Sequence, residues 1–301
     1  MRIYTRAGDL SFKTFTFPDG QPHFQLETYE LDFTAATIEM AVKSPADLFT
    51  LQLAASTLRQ HGYRELNLDV RYLLGARMDR AIASDQPHTL QVVAQTINAM
   101  GFNKVRILDV HSEVATRLIR NSNNQLPYKI VEQVIQTVNP DHVVVPDKGA
   151  RERVEKLVGM LRPLVWCSKV RDMQTGNLTG FKVDSYVDPV LASIGSSGTE
   201  IMQSVLIVDD ICDGGGTFTG LAKVLREAGA KKVYLYVTHG IFSKGLPLEG
   251  IDKVFTTDSY FNPESCSRPG TVPYCFDDAR RDGQLVVVPV SMERLSARNG
   301  A

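Results

Sequence analysis

The sequence predicts an α/β protein of two tandem units, each a mainly parallel sheet flanked by helices, and three observations predict it. From about residue 45, helical stretches alternate with short β-branched apolar runs, the pattern of stacked βα units. The polar tract Asn121-Ser-Asn-Asn-Gln125, followed by Pro127, interrupts that alternation and divides the chain into residues 1–125 and 126–301. The 301 residues, 43% hydrophobic and 22% charged, suffice for two moderate cores.

Each element follows from its own residues. Pro45 to Gln60 sets Leu48, Leu51, Ala55 and Leu58 on one helical face, and Ser44 before Pro45 is a helix start. Leu66 to Val70 reads as a strand, Thr89 to Met100 as a helix ended by Gly101, and Lys104 to Asp109 as the next strand, with His111 just past its carboxyl end. The tract 121–125 reads as a turn, because short amides favour turns and bring no apolar surface. Beyond it, Tyr128 to Val138 is a helix, His142 to Pro146 a strand and Arg151 to Leu161 a helix. Ser204 to Val208 is a buried strand, Thr217 to Ala228 a helix stopped by Gly229, and Lys232 to Thr238 a further strand. Residues 167–200 are turn-rich and polar; they read either as mobile loops of functional length or as a plain β-hairpin crossing through Gly176. No short-period repeat suggests a solenoid.

Charge and composition exclude several classes. Lys and Arg number 33 against 34 Asp and Glu, a net charge of −1, so no basic field holds a nucleic acid by phosphate neutralisation. No apolar run approaches the roughly 18 residues of a membrane helix, and the first residues lack the apolar core of a signal peptide. Cys167, Cys212, Cys266 and Cys275 form no C-x-x-C pair and have no His at zinc-ligand spacing, so they read as free thiols. The expectation is a cytoplasmic chain with neither nucleic acid nor membrane as partner.

The chemistry concentrates in Val205-Leu-Ile-Val-Asp-Asp-Ile-Cys-Asp-Gly-Gly-Gly-Thr217, a buried strand, two adjacent acids and a triple-glycine turn into a helix. Acids at the carboxyl edge of a parallel sheet lie where α/β folds bind ligands. Gly214, Gly215 and Gly216 let backbone N–H groups close on a phosphate, and the following helix adds its positive end and the Thr217 hydroxyl. A phosphorylated sugar, its hydroxyls held by Asp209 and Asp210, suits this arrangement. The spacing matches neither G-x-x-x-x-G-K-[ST] nor G-x-G-x-x-G.

This stretch resembles the phosphoribosyl-diphosphate binding motif, and with Val237-Thr-His-Gly-Ile-Phe-Ser243 it resembles that of the ribose-phosphate diphosphokinases. Phe17-Pro-Asp-Gly-Gln21 is similar to the family's F-x-D-G-E, Tyr72 to Arg80 to its Y-x-x-x-A-R-Q-D-R, and Asp109-Val-His111 to its D-L-H. Val145-Pro-Asp-Lys-Gly149 is similar to S-P-D-x-G, and Lys169-Val-Arg171 to the K-x-R of its catalytic loop. The resemblance implies two type I phosphoribosyltransferase-like domains and an enzyme that moves the diphosphoryl group of ATP to the anomeric hydroxyl of ribose 5-phosphate. It implies Lys169, Arg171 and His111 as catalytic residues, and Phe17, Asp19, Gln21, Arg77 and Met78 around the nucleotide. Asp209, Asp210, Asp213, Gly214, Gly215, Gly216 and Thr217 would hold the ribose phosphate, and His111 and Asp147 a Mg²⁺ ion. A homo-oligomer with a shared nucleotide site is implied as well.

Gln21, Met78, Lys148 and Ala150 depart from the family's pattern around the nucleotide, the start of the first unit is abbreviated, and its R-G-x-D element has no match between Glu30 and Pro45. These departures leave open a larger acceptor with a free anomeric hydroxyl, such as ADP-ribose. A type I phosphoribosyltransferase and an inactive synthetase-like regulator are the remaining alternatives.

Overall fold

Strands whose apolar and polar residues alternate bury one face against helices and give the other to polar partners, and the first of two units is built this way. The computed structural model describes residues 1–27, 34–81, 83–171, 178–187, 203–260, 283–290 and 292, with the backbone alone at 170, 171, 178, 179 and 185–187. The chain divides into Met1–Leu126 with Ser291–Ala301, and Pro127–Val290. Both units are mixed α/β with mainly parallel sheets flanked by helices.

The first unit runs β1 (Arg2–Tyr4), β2 (Phe12–Thr16), β3 (Pro22–Leu26), β4 (Ala35–Ala41), α1 (Pro45–Gln60), β5 (Glu65–Tyr72), α2 (Thr89–Ala99), β6 (Lys104–Leu108), α3 (Val114–Leu118) and β7 (Ser122–Gln125). Its sheet has the order β1-β4-β5-β6-β7, antiparallel only at β1, while β2 and β3 form a separate hairpin. Helix α1 begins with a capping box: the Ser44 hydroxyl accepts from the Asp47 amide, whose carboxylate accepts from the Ser44 amide. Such caps contribute about 1 kcal/mol. Ile38, Met40, Leu66, Leu68, Val70, Val105 and Ile107 pack with Leu51, Leu58, Val93 and Ile97 of the two long helices.

The intervening strand positions carry Glu39, Asp69 and Arg106. Asp69 has no exposed surface; it accepts from Arg106 Nη2 at 2.5 Å and Nε at 2.6 Å and from the Tyr4 hydroxyl at 2.8 Å. Burial, then the Asp69 carboxylate, pushes the Tyr4 phenol well above its ordinary pKa.

The expected turn at 121–125 is instead an edge strand. Residues 122–125 pair in parallel with 105–108. Side chains replace the missing apolar packing: Asn124 Oδ1 accepts from the Val110 amide at 3.1 Å and the Ser122 hydroxyl donates to the Ile119 carbonyl at 2.7 Å. An edge strand needs only one ladder, so weak β-formers are tolerated there.

The second unit contains α4 (Tyr128–Val138), β8 (His142–Val145), α5 (Arg151–Val158), β9 (Leu164–Arg171), β10 (Leu178–Val187), β11 (Ser204–Cys212), α6 (Gly216–Glu227), β12 (Lys232–Gly240), β13 (Lys253–Thr257) and β14 (Leu285–Val288). The order is β10-β9-β8-β11-β12-β13-β14, parallel except between β9 and β10. Val205 to Val208 are fully buried, as a central strand covered on both faces requires. Strand β11 continues past Val208 to Cys212, because its ladder to β12 runs on through Asp209, Ile211 and Cys212. Part of the 167–200 stretch is an antiparallel pair, Leu164 opposite Val187 and Arg171 opposite Leu178, in keeping with the hairpin alternative; Gly176 and residues 188–202 lie outside the described residues.

Among the described residues no helix is long and apolar enough to cross a membrane. Cys167 and Cys212 are buried thiols outside any disulfide among the described residues, and burial pushes the Cys167 thiol up to about 12; Cys266 and Cys275 lie outside the described residues.

Candidate active site

In a parallel sheet every strand ends at the same edge, so the segments after adjacent strands meet. In the second unit β8 and β11 are neighbours, and the residues that follow them are Asp147 and the Asp213–Thr217 turn. Asp147 caps the 3-10 turn Lys148–Ala150, its Oδ1 accepting from the Gly149 and Ala150 amides at 2.9 and 3.1 Å. Its Oδ2 accepts from Lys169 Nζ of β9 at 2.6 Å. Burial alone would raise this carboxyl, but the Lys169 ammonium and the two amides outweigh it and hold Asp147 below the ordinary range.

Asp209 and Asp210 sit within the last part of β11, fixed by its ladder to β12. Asp209 Oδ1 accepts from the Asp210 amide at 2.9 Å and lies 3.7 Å from Arg153 Nη1 on α5. Burial, then the neighbouring Asp210 charge, pushes the Asp209 carboxyl well above the usual carboxylate range, and Arg153 offsets this only in part. A buried acid raised in this way is stabilised by any hydroxyl that donates to it. Arg153 was missed in the sequence, although it adjoins the buried stripe Ala150, Val154, Leu157 of its helix.

The glycine turn has two built-in constraints. Gly215 adopts φ +78°, and a β-carbon there would be strained and would have to displace a methyl of Leu248, so glycine is strongly favoured. At Gly216 no heavy atom would lie within 4 Å of a β-carbon, so the turn is open at that point. The first N–H groups of a helix have no acceptor within it. In α6 Phe218 and Thr219 donate back to the Gly215 carbonyl, which leaves the amides of Gly216 and Thr217 at the open side. Backbone N–H groups and the positive helix end together attract a phosphate.

The remaining candidates lie in the first unit. Arg77 and Met78 follow β5 and His111 follows β6; these strands are parallel neighbours, so both segments leave the same edge. Arg77 and His111 are exposed, and the Met78 backbone is tied to Gly75 and to Leu90 at the start of α2. Phe17, Asp19 and Gln21 form the turn of the β2–β3 hairpin, closed by Phe17 N–H to the Gln21 carbonyl at 2.9 Å and by the Gln21 amide to Asp19 Oδ1 at 3.0 Å. Phe17 is 41% exposed and packs edge-on to Phe15 and against His23. Arg171 ends β9, and its side chain lies outside the described residues. His239 lies within β12 and is buried, its Nδ1 2.8 Å from the Ser259 hydroxyl.

Among the described residues no three metal-ligating side chains converge. Asp147, ionised and at the sheet edge beside the glycine turn, fits a hard cation that takes most of its ligands from phosphates and water.

The phosphoribosyl transferase domain pattern matches residues 115–269, just over half of the chain. A ribose-phosphate pyrophosphokinase of Pyrococcus furiosus is 27% identical over 256 residues, covering 83% of this chain and 86% of that protein. One from Vibrio cholerae is 25% identical over 280 residues, covering 90% and 85%. The crystal structure of phosphoribosylpyrophosphate synthetase from Mycobacterium smegmatis superposes with a TM-score of 0.72 at 19% identity, over 95% of this chain and 88% of that one. With its acid-bearing central strand, glycine turn and family match, the chain belongs to the phosphoribosyl transferase domain family.

Proposed function

We propose that the protein is a ribose-phosphate diphosphokinase, transferring the β,γ-diphosphoryl group of ATP to the anomeric hydroxyl of ribose 5-phosphate to give phosphoribosyl diphosphate and AMP. The observation that carries this reading is the second unit's sheet edge, where the raised Asp209 and the open glycine turn adjoin the Asp147–Lys169 pair. Similarity along most of the chain to ribose-phosphate pyrophosphokinases supports it.

The residue roles follow from charge and position. The Gly216 and Thr217 amides and the Thr217 hydroxyl hold the 5-phosphate, and Asp209 and Asp210 accept from the ribose hydroxyls. The anomeric oxygen attacks the β-phosphorus of ATP; the bond from that phosphorus to the bridging oxygen breaks, AMP leaves with the electron pair, and the anomeric proton passes to solvent. Lys169, with Arg171, neutralises charge on the transferring group, which is where such reactions gain most of their rate. A Mg²⁺ ion, for which Asp147 is the expected ligand in the second unit and His111 in the first, would supply further charge neutralisation on the phosphates. Arg77 and Met78 flank the nucleotide, and Phe17, Asp19 and Gln21 at the exposed hairpin tip serve the nucleotide site of a second copy.

The test is incubation with Mg-ATP and, in separate tubes, ribose 5-phosphate, ADP-ribose or no acceptor, with products resolved by mass. AMP together with a diphosphorylated ribose 5-phosphate is expected. AMP formed only with ADP-ribose would assign the larger acceptor, and no AMP in any tube would sink the diphosphokinase. Sharing of the site between copies has its own check. Asp19→Ala and Lys169→Ala proteins, each inactive, regain activity when mixed and reassembled, and complete absence of recovery would place the whole site in one chain.

A further inference from the structure

The glycine turn has a side-chain neighbour that neither the motif nor the acids account for. Strand β12 ends at Gly240, and the chain then folds back onto the entrance of the turn. The amides of Ile241 and Phe242 both donate to the Cys212 carbonyl, at 2.8 and 3.1 Å, and the Ser243 amide donates to the Asp213 carbonyl at 3.2 Å. Phe242, buried and at φ +49°, anchors a tight turn closed by the Gly245 amide to its carbonyl at 2.8 Å. This clamp lays the Lys244 stem along Gly214. A β-carbon at position 214 would lie 3.2 Å from Cε, 3.3 Å from Cδ and 3.5 Å from Cγ of Lys244, so the missing side chain at 214 is the bed for the lysine. The residue is exposed, and among the described residues its ammonium makes no ion pair, although Asp213 lies in the same turn.

We infer that Lys244 is a specificity-determining residue that makes the glycine turn prefer a terminal phosphomonoester, as in ribose 5-phosphate, over the phosphodiester-like group of an acceptor such as ADP-ribose. This rests on the turn being the ribose-phosphate site proposed above. Backbone amides and a helix end provide only partial charges. A monoester phosphate is close to dianionic at neutral pH, whereas a phosphate esterified on both sides carries a single charge. A full positive charge beside the cradle therefore gains more from the monoester. Because Gly214 and the clamped turn hold the stem in place, little of the usual lysine rotamer entropy is lost on binding.

The experiment measures the affinity of the nucleotide-free full chain for ribose 5-phosphate and for ADP-ribose by calorimetry, with thermal melts confirming folding. Lys244→Met weakens ribose 5-phosphate by roughly tenfold, the scale of one hydrogen bond to a charged group, and weakens ADP-ribose by less than about threefold; Lys244→Arg keeps most of the preference. Gly214→Ala, which crowds the stem off its bed, costs ribose 5-phosphate affinity in the native background and adds little to Lys244→Met. Ribose 5-phosphate affinity of Lys244→Met within about twofold of native, or equal weakening of both acceptors, would overturn the assignment. A native protein that binds ribose 5-phosphate yet forms no AMP would overturn the diphosphokinase reading while leaving Lys244 to be judged on binding. A native protein that does not bind ribose 5-phosphate overturns both.

Discussion

Two aspartates, one in each sheet, receive opposite treatment. Asp69 is enclosed by a bidentate guanidinium and a phenol, all within 2.8 Å. Asp209 has its nearest cation at 3.7 Å and another carboxylate beside it. The first acid has every hydrogen bond it needs from the protein and serves the fold. The second is left short of donors among the described residues, and the proposed ribose hydroxyl would relieve that shortage. Saturation by donors separates the two acids more sharply than burial does, since Asp69 is fully buried and Asp209 largely so.

The comparison breaks or sharpens under substitution. Asp69→Ala strands Arg106 in a half-buried setting and should destabilise the protein by about 3 kcal/mol, the lower end for broken buried pairs. Denaturant titration would show this, and kcat per folded molecule should stay near native; a stable Asp69→Ala protein would mean that saturation is not what matters there. Lys169→Ala, which frees the intermediate case of Asp147, should lower kcat by about two orders of magnitude at constant melting temperature, on the scale of lost phosphoryl clamps. Loss confined to KM would make Lys169 a binding residue.

Asp209→Asn should reverse the usual sign of a site mutation, lowering kcat/KM for ribose 5-phosphate by roughly 30-fold while raising the melting temperature. The folded pKa of Asp209 is raised, so the folded state binds its proton more tightly and native stability falls as pH rises above the unfolded pKa of about 3.9. The stabilisation by Asn should therefore vanish near pH 4 and open as pH increases; a melting temperature that drops at neutral pH would end the contrast with Asp69. Arg153→Gln gives the smallest effect. Removal of the partial counterion raises the Asp209 pKa further, so the KM for ribose 5-phosphate should increase several-fold, and the increase should shrink as pH rises. A pH-independent change would assign Arg153 to direct substrate contact.

The sequence made the α/β class and the glycine turn legible because both are local: a run of four apolar residues, then acids, then three glycines, carries its meaning without distant partners. The ends of elements were less so. Asp209 and Asp210 look like the start of a loop, yet the backbone ladder to β12 is indifferent to side-chain polarity and keeps them in the strand. The amide tract 122–125 became a strand because β6 offered a free edge, which no property of the tract itself announces. Arg153 was hidden for a related reason. Its partner lies on β11, far away in sequence, and only the packing of α5 decides that it faces an acid.

The fit of Leu248 against Gly215 also shapes what descendants of this sequence could become. Any side chain at 215 meets both a left-handed backbone, costing about 1–2 kcal/mol, and the Leu248 methyl that already fills the space. Replacing glycine therefore costs the backbone strain and a shift of the Leu248 side chain within the second core, to which it belongs. The glycine turn is thus costly to change, whereas exposed positions such as Lys148, at the same sheet edge, carry no such strain. Variation would then accumulate around the turn, with the turn itself inherited unchanged.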